Sequence, residues 1–117
     1  RKPSCAEVMN LIGDVEGKTA VIIDDIVDTA GSLCEGARAL EKRGAKRIFA
    51  SCSHAILSDP AVQRINESPI EKLVITDTIP LPPEKQSDKF VVLSLADALG
   101  DVMMRIQSHR SVSQLFR

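Results

Sequence analysis

Apolar residues fall along this chain in two kinds of cluster. Val21-Ile22-Ile23, Ile48-Phe49-Ala50, Leu73-Val74-Ile75 and Phe90-Val91-Val92-Leu93 are continuous short runs, the pattern of strands buried on both faces of a parallel sheet. They predict strands over about 19–23, 47–53, 73–76 and 90–94. Leu33, Ala37 and Leu40, and later Leu95, Leu99, Val102, Met103 and Ile106, recur instead at helical spacing. The first set predicts a helix over about 31–43, with Gly44 as its left-handed cap. Ser58-Asp59-Pro60 opens a shorter helix, Pro60 lying in its first turn and Ala61, Val62 and Ile65 facing inward. Pro80, Pro82 and Pro83 keep a long connection irregular, and Lys85 to Lys89 read as polar and exposed. Strands alternating with helices imply right-handed β-α-β units, hence an α/β fold with a parallel sheet and helices on both faces. Cys34, Cys52, Met103 and Met104 read as core residues.

Ligands of such sheets bind beyond the carboxyl ends of the strands. Three loops leave strands there: Asp24 to Ser32, Ser53 to Asp59, and Thr76 to Pro80. The first has the most chemistry in it. Its strand runs into Asp24-Asp25, then Ile26-Val27, then Asp28-Thr29-Ala30-Gly31-Ser32 at the start of a helix. A helix start offers free backbone N–H groups and a partial positive charge, which together hold a phosphate without any lysine. Thr29 and Ser32 add hydroxyl donors, and Gly31 lets the backbone come close to an anion. Asp24 and Asp28 would repel a phosphate at contact distance. They suit what is attached to it, hydroxyls or a bridging magnesium ion, so a phosphorylated sugar meets both demands. The plainer alternative is that Asp28 or Thr29 only caps a helix and the Asp pair is a solvated strand end. His54, in the second loop, could face the same site, the plainer alternative being an ordinary hydrogen-bonded residue at a strand end.

The loop resembles the phosphoribosyl-pyrophosphate-binding motif of type I phosphoribosyltransferases and ribose-phosphate pyrophosphokinases: an apolar strand, two acidic residues, two apolar residues and Asp-Thr-Gly/Ala-x-Thr/Ser. The flanks resemble the pyrophosphokinase. They are Ala6-Glu7-Val8-Met9-Asn10, Gly13-Asp14-Val15-Glu16-Gly17-Lys18, Ser53-His54-Ala55, Ser58-Asp59-Pro60-Ala61, Thr76-Asp77-Thr78-Ile79-Pro80 and Ser111-Val112-Ser113. The resemblance covers essentially the whole chain and implies a type I phosphoribosyltransferase-like, Rossmann-like domain, the C-terminal part of a longer two-domain enzyme. The implied reaction is magnesium-dependent transfer of the diphosphate of ATP to the C1 hydroxyl of ribose 5-phosphate, in nucleotide biosynthesis. Carried over, Asp24 and Asp28 hold the ribose hydroxyls, Asp25 lies beside them in the substrate site, and Thr29, Ala30, Gly31 and Ser32 hold the 5-phosphate. Ser32 stands where Thr is usual, and Asp77 where Asn is usual, which puts a donor role there in question. The family's catalytic Lys and Arg pair, by ungapped counting, falls just upstream of Arg1, with Arg1-Lys2 a remnant of that basic loop, so no catalytic residue is assigned here. The ATP-binding half is likewise absent. The resemblance further implies a homo-oligomer, a hexamer in the family, whose terminal segment meets phosphate and ADP as effectors. Ser111 and Ser113 would donate to one phosphate, Phe116 would anchor the tail, and Arg110 or Arg117 would add charge. Two other readings stay open: a type I phosphoribosyltransferase, which would also need a hood and a flexible loop, and a non-catalytic regulatory homologue.

The 117 residues allow one domain. Lys and Arg number 15 against 16 acidic residues, so there is no basic field for nucleic acid or anionic lipid. Three Phe, without Trp or Tyr, give almost nothing for bases to stack on. The apolar runs are too short to span a bilayer and no signal-like segment follows Arg1-Lys2-Pro3, which predicts a cytoplasmic protein without a membrane partner. Cys5, Cys34 and Cys52 are widely spaced, and His54 and His109 have no neighbouring cysteines, so reduced thiols and no structural metal are expected.

Overall fold

A computed structural model describes residues 13–116. Cys5, the Arg1-Lys2 remnant, the Ala6 to Asn10 motif and Arg117 lie outside the described residues. The elements are β1 (Thr19–Val27), α1 (Gly31–Lys42), β2 (Arg47–Ala55), α2 (Ala61–Asn66), β3 (Lys72–Thr76), β4 (Phe90–Leu93) and α3 (Ala96–Gln107), with single 3-10 turns at Pro83–Lys85 and Ser113–Phe116. All strand pairs are parallel, and the sheet order is β1-β2-β3-β4.

The register explains which residues meet. Ile22, Ala50, Leu73 and Phe90 form one row across the sheet, and Asp24, Cys52, Ile75 and Val92 the next. Helices α1 and α2 cover the face that carries these rows. Leu33, Cys34, Ala37 and Leu40 of α1, Ala61 and Ile65 of α2, and Leu57 and Ile70 between elements close the core against Ile48, Ala50, Cys52, Leu73 and Ile75. Cys34 and Cys52 are buried free thiols, as expected. Burial raises the pKa of Cys34, and burial with the nearby Asp24 carboxylate pushes that of Cys52 up to about 11.

Gly44 ends α1 as expected. Its φ is +90°, its N–H donates to the Glu41 carbonyl, and the next N–H, of Ala45, reaches back to Leu40, the paired bonds of a Schellman cap. His109 closes α3 in the same way at φ +57°, with His109 N–H on Ile106 and Arg110 N–H on Arg105.

Five expectations change. Strand β1 runs four residues beyond Ile23, because β2 also extends and pairs Ile26 with His54 and Val27 with Ala55; Asp24 and Asp25 therefore belong to the strand. Pro60 precedes α2 as its cap residue instead of sitting in the first turn. Lys85 and Lys89 are half-buried. The Nζ of Lys89 donates to the carbonyls of Ile65 and Ser68, both at 3.0 Å, where a cation satisfies the end of α2, and the Nζ of Lys85 donates to Ile56. Met103 and Met104 are not core filler: they are 69% and 61% exposed, and α3 buries no residue. A strand order that never reverses carries successive right-handed crossovers over one face, so α1 and α2 lie together. The expectation of helices on both faces changes with it: the opposite face, with Val21, Ile23, Val91 and Leu93, is exposed instead of covered.

Candidate functional site

The β1–α1 loop wraps an open cavity of about 220 Å³ lined by Asp24, Ile26, Val27, Asp28, Thr29, Ala30, Gly31, Ser32 and Leu33. Six of the seven sequence-predicted substrate residues line it; Asp25 alternates to the other side of the strand and does not. Asp24 Oδ1 accepts the N–H of Asp25 and Asp25 Oδ1 that of Ile26, each at 2.8 Å. Among the described residues the ion pairs are Arg47–Glu71 and Arg105–Asp101, so neither neutralises Asp24, Asp25 or Asp28.

The turn into α1 is made by Ala30, at φ 63° and ψ 14° in the left-handed region. A residue with a Cβ pays about 1–2 kcal/mol for that conformation. Gly31 has no positive φ, so the special backbone angle lies one residue earlier than the glycine suggests. Helix α1 has no side-chain cap, and no acidic residue stands in its first turn. Asp28 and Thr29 are thus not helix caps, and the first N–H groups of the helix open toward the cavity without a side-chain acceptor.

The three loops are joined, although the cavity belongs to the first alone. Val27 O accepts the N–H groups of Ile56 at 3.0 Å and Leu57 at 3.2 Å, tying the second loop to the first. Thr76 Oγ1 and Thr78 Oγ1 both donate to Ser53 O, tying the third to the second. His54 does not line the cavity. Its Nδ1 lies 2.8 Å from Thr78 Oγ1, a bond within the strand-end cluster. Asp77 accepts the N–H of Leu95 at 2.8 Å and so fixes the start of α3 to the end of β3. That bond and the Ser94 hydroxyl hold its carboxyl below the usual carboxylate range. The position works as an acceptor, a part that Asp and Asn both play.

Arg64 escaped the sequence reading. From α2 its Nη1 donates to Thr29 O at 3.0 Å, across 35 positions of chain. The only sequence signal is a basic residue flanking the buried Ala61/Ile65 stripe of a short helix.

The C-terminal segment is not brought to the cavity. Ser111 Oγ and Ser113 Oγ lie 2.9 Å apart and hydrogen-bond to each other, and Arg105 Nη1 donates to the Ser111 carbonyl at 3.0 Å. Phe116 does not anchor the tail: it is 81% exposed, since the neighbouring α3 offers it no buried surface. Among the described residues no three His, Cys, Asp or Glu side chains converge as metal ligands, and no helix is long and apolar enough to cross a membrane.

Known proteins resemble the chain over nearly its full length. A ribose-phosphate pyrophosphokinase 1 of Listeria monocytogenes is 54% identical over 115 residues, 98% of this chain and 36% of that protein. The ribose-phosphate pyrophosphokinase of Bacillus subtilis is 50% identical over the same share. The chain thus spans about a third of the length of these curated relatives. The crystal structure of phosphoribosylpyrophosphate synthetase from Mycobacterium smegmatis superposes with a TM-score of 0.81 at 34% identity, over 84% of this chain and 33% of that one. The fold is therefore that of the type I phosphoribosyltransferases. The phosphoribosyl synthetase-associated domain matches residues 2–117, and the chain belongs to that family.

Proposed function

We propose that this chain is the C-terminal domain of a cytoplasmic ribose-phosphate pyrophosphokinase, and that its β1–α1 loop holds ribose 5-phosphate while diphosphate passes from ATP to the sugar's C1 hydroxyl. The observation that carries this reading is the uncapped first turn of α1, opening on a cavity whose rim bears two unpaired carboxylates. The N–H groups of the turn and the hydroxyls of Thr29 and Ser32 receive the 5-phosphate. Asp24 and Asp28 accept from the ribose hydroxyls at a distance from that charge. Magnesium suits this donor set, because it binds through one or two carboxylates together with substrate oxygens instead of a protein cage. When bound it neutralises charge that shifts during phosphoryl transfer.

Calorimetric titration tests the site. Ribose 5-phosphate with magnesium is expected to give saturable heat, ribose without the phosphate much less, and Asp28→Asn in the full-length chain is expected to weaken ribose 5-phosphate far more than ATP. Heat with ADP and none with the sugar phosphate would overturn the assignment.

The converging hydroxyls of Ser111 and Ser113 support a second site in the same homo-oligomeric enzyme, taking phosphate as activator and ADP as inhibitor. Changing both serines to alanine in the full-length chain should weaken both responses together and leave saturation by ribose 5-phosphate nearly unchanged. Unaltered responses to both effectors would return the segment to a packing role.

A further inference from the structure

Arg64 reaches the phosphate loop from behind. Its Nη1 donates to the Thr29 carbonyl at 3.0 Å, and the same nitrogen lies 3.4 Å from where a Cβ on Gly31 would stand. The helix that carries it is held in place by Ala61 and Ile65, both fully buried, and by Lys89 on its last carbonyls. A trans peptide carries its C=O and N–H on opposite sides. Holding Thr29 O toward Arg64 therefore turns the N–H of Ala30, in the same peptide, to the other side. Ala30 itself sits at φ 63°, a conformation that persists only where the surroundings enforce it. A left-handed residue followed by helical ones also aims consecutive N–H groups into one concavity, which suits an anion.

We infer that Arg64 is a positioning residue for the cradle: by gripping Thr29 O it locks the Thr29–Ala30 peptide with the Ala30 N–H turned toward the bound phosphate. This rests on the reading that the β1–α1 loop receives the 5-phosphate of ribose 5-phosphate. Without the guanidinium the peptide is free to turn over, which takes Ala30 out of the left-handed region and withdraws one donor from the ligand.

The test compares Arg64→Met and Arg64→Lys with the unaltered full-length enzyme. In Arg64→Met the KM for ribose 5-phosphate is expected to rise about ten- to hundred-fold, the worth of one hydrogen bond to a charged group. The KM for ATP and the melting temperature should stay close to the original values. Arg64→Lys, which keeps a donor on a shorter stem, should fall between the two. A crystal structure of Arg64→Met should show Ala30 at negative φ with the Thr29 carbonyl turned away. An unchanged KM for ribose 5-phosphate in Arg64→Met, or Ala30 still at positive φ in its crystal structure, would overturn the inference. An unaltered enzyme whose rate does not saturate with ribose 5-phosphate would instead overturn the reading of the loop on which it rests.

Discussion

Gly31 changes meaning once its neighbours are known. In the sequence it reads as clearance for an anion, yet the nearest atoms an added Cβ would meet belong to Arg64 and Thr29, at 3.4 and 4.0 Å. Those are ordinary contacts, and no positive φ forbids a side chain. Gly31→Ala should therefore keep the unfolding free energy or raise it by up to about 1 kcal/mol, through a less flexible unfolded chain. Its affinity for ribose 5-phosphate should fall no more than a few-fold. Gly31→Val, whose branches reach into the guanidinium, should lose affinity as Arg64→Met does. Calorimetry on both variants, with urea unfolding alongside, checks the pair; equal losses for Ala and Val would show that the ligand, not Arg64, needs the space.

Helix and strand positions were largely legible, because β-branched runs and the Leu33/Ala37/Leu40 spacing point the same way as the turn residues between them. Gly44 was legible as a cap for the same reason. The misses have physical causes. Strand β1 outran its apolar run because pairing with β2, not hydropathy, decides where a strand stops, and pairing is a property of two segments. Lys89 looked like a solvated charge because the carbonyls it serves, Ile65 and Ser68, lie 24 and 21 positions away. The candidate loop was legible because its chemistry is contiguous. Arg64 was not, since its partner lies in another element.

Asp77 links two elements in a way that depends on protonation. Its folded pKa lies below the usual value, so the bond to Leu95 contributes stability that is present above the unfolded pKa of about 3.9 and is lost as pH falls through the folded pKa. Asp77→Asn keeps the acceptor and removes the titration. Thermal melts between about pH 2 and pH 5 should show a shallower acid loss in the variant than in the original. Parallel curves would mean that the link carries no measurable stability.

Among the described residues every buried apolar side chain of the core lies between Val27 and Ile75. The last helix and the tail therefore contribute little to what holds the described residues together. A chain shortened to end at Ser94 loses the Asp77–Leu95 link but no buried core residue, and is expected to keep most of its urea unfolding free energy. A loss of several kcal/mol would place α3 in the cooperative unit. Among the described residues Val21 and Ile23 on the sheet and Leu99, Met103, Met104 and Ile106 on α3 stay exposed.

Strand order along the sheet equals strand order along the chain. Each strand after the first docks on the one synthesised just before it, with a single helix or loop between them, and no earlier strand has to wait for a distant partner. Such local wiring shortens the loops that must close before native contacts form. On a ribosome the β1–α1–β2 unit, with the loop between β1 and α1, would have its pairing partner as soon as Ala55 leaves the exit tunnel, while Arg64 arrives only with the next helix. The cradle would thus take shape in two stages, backbone first and brace second.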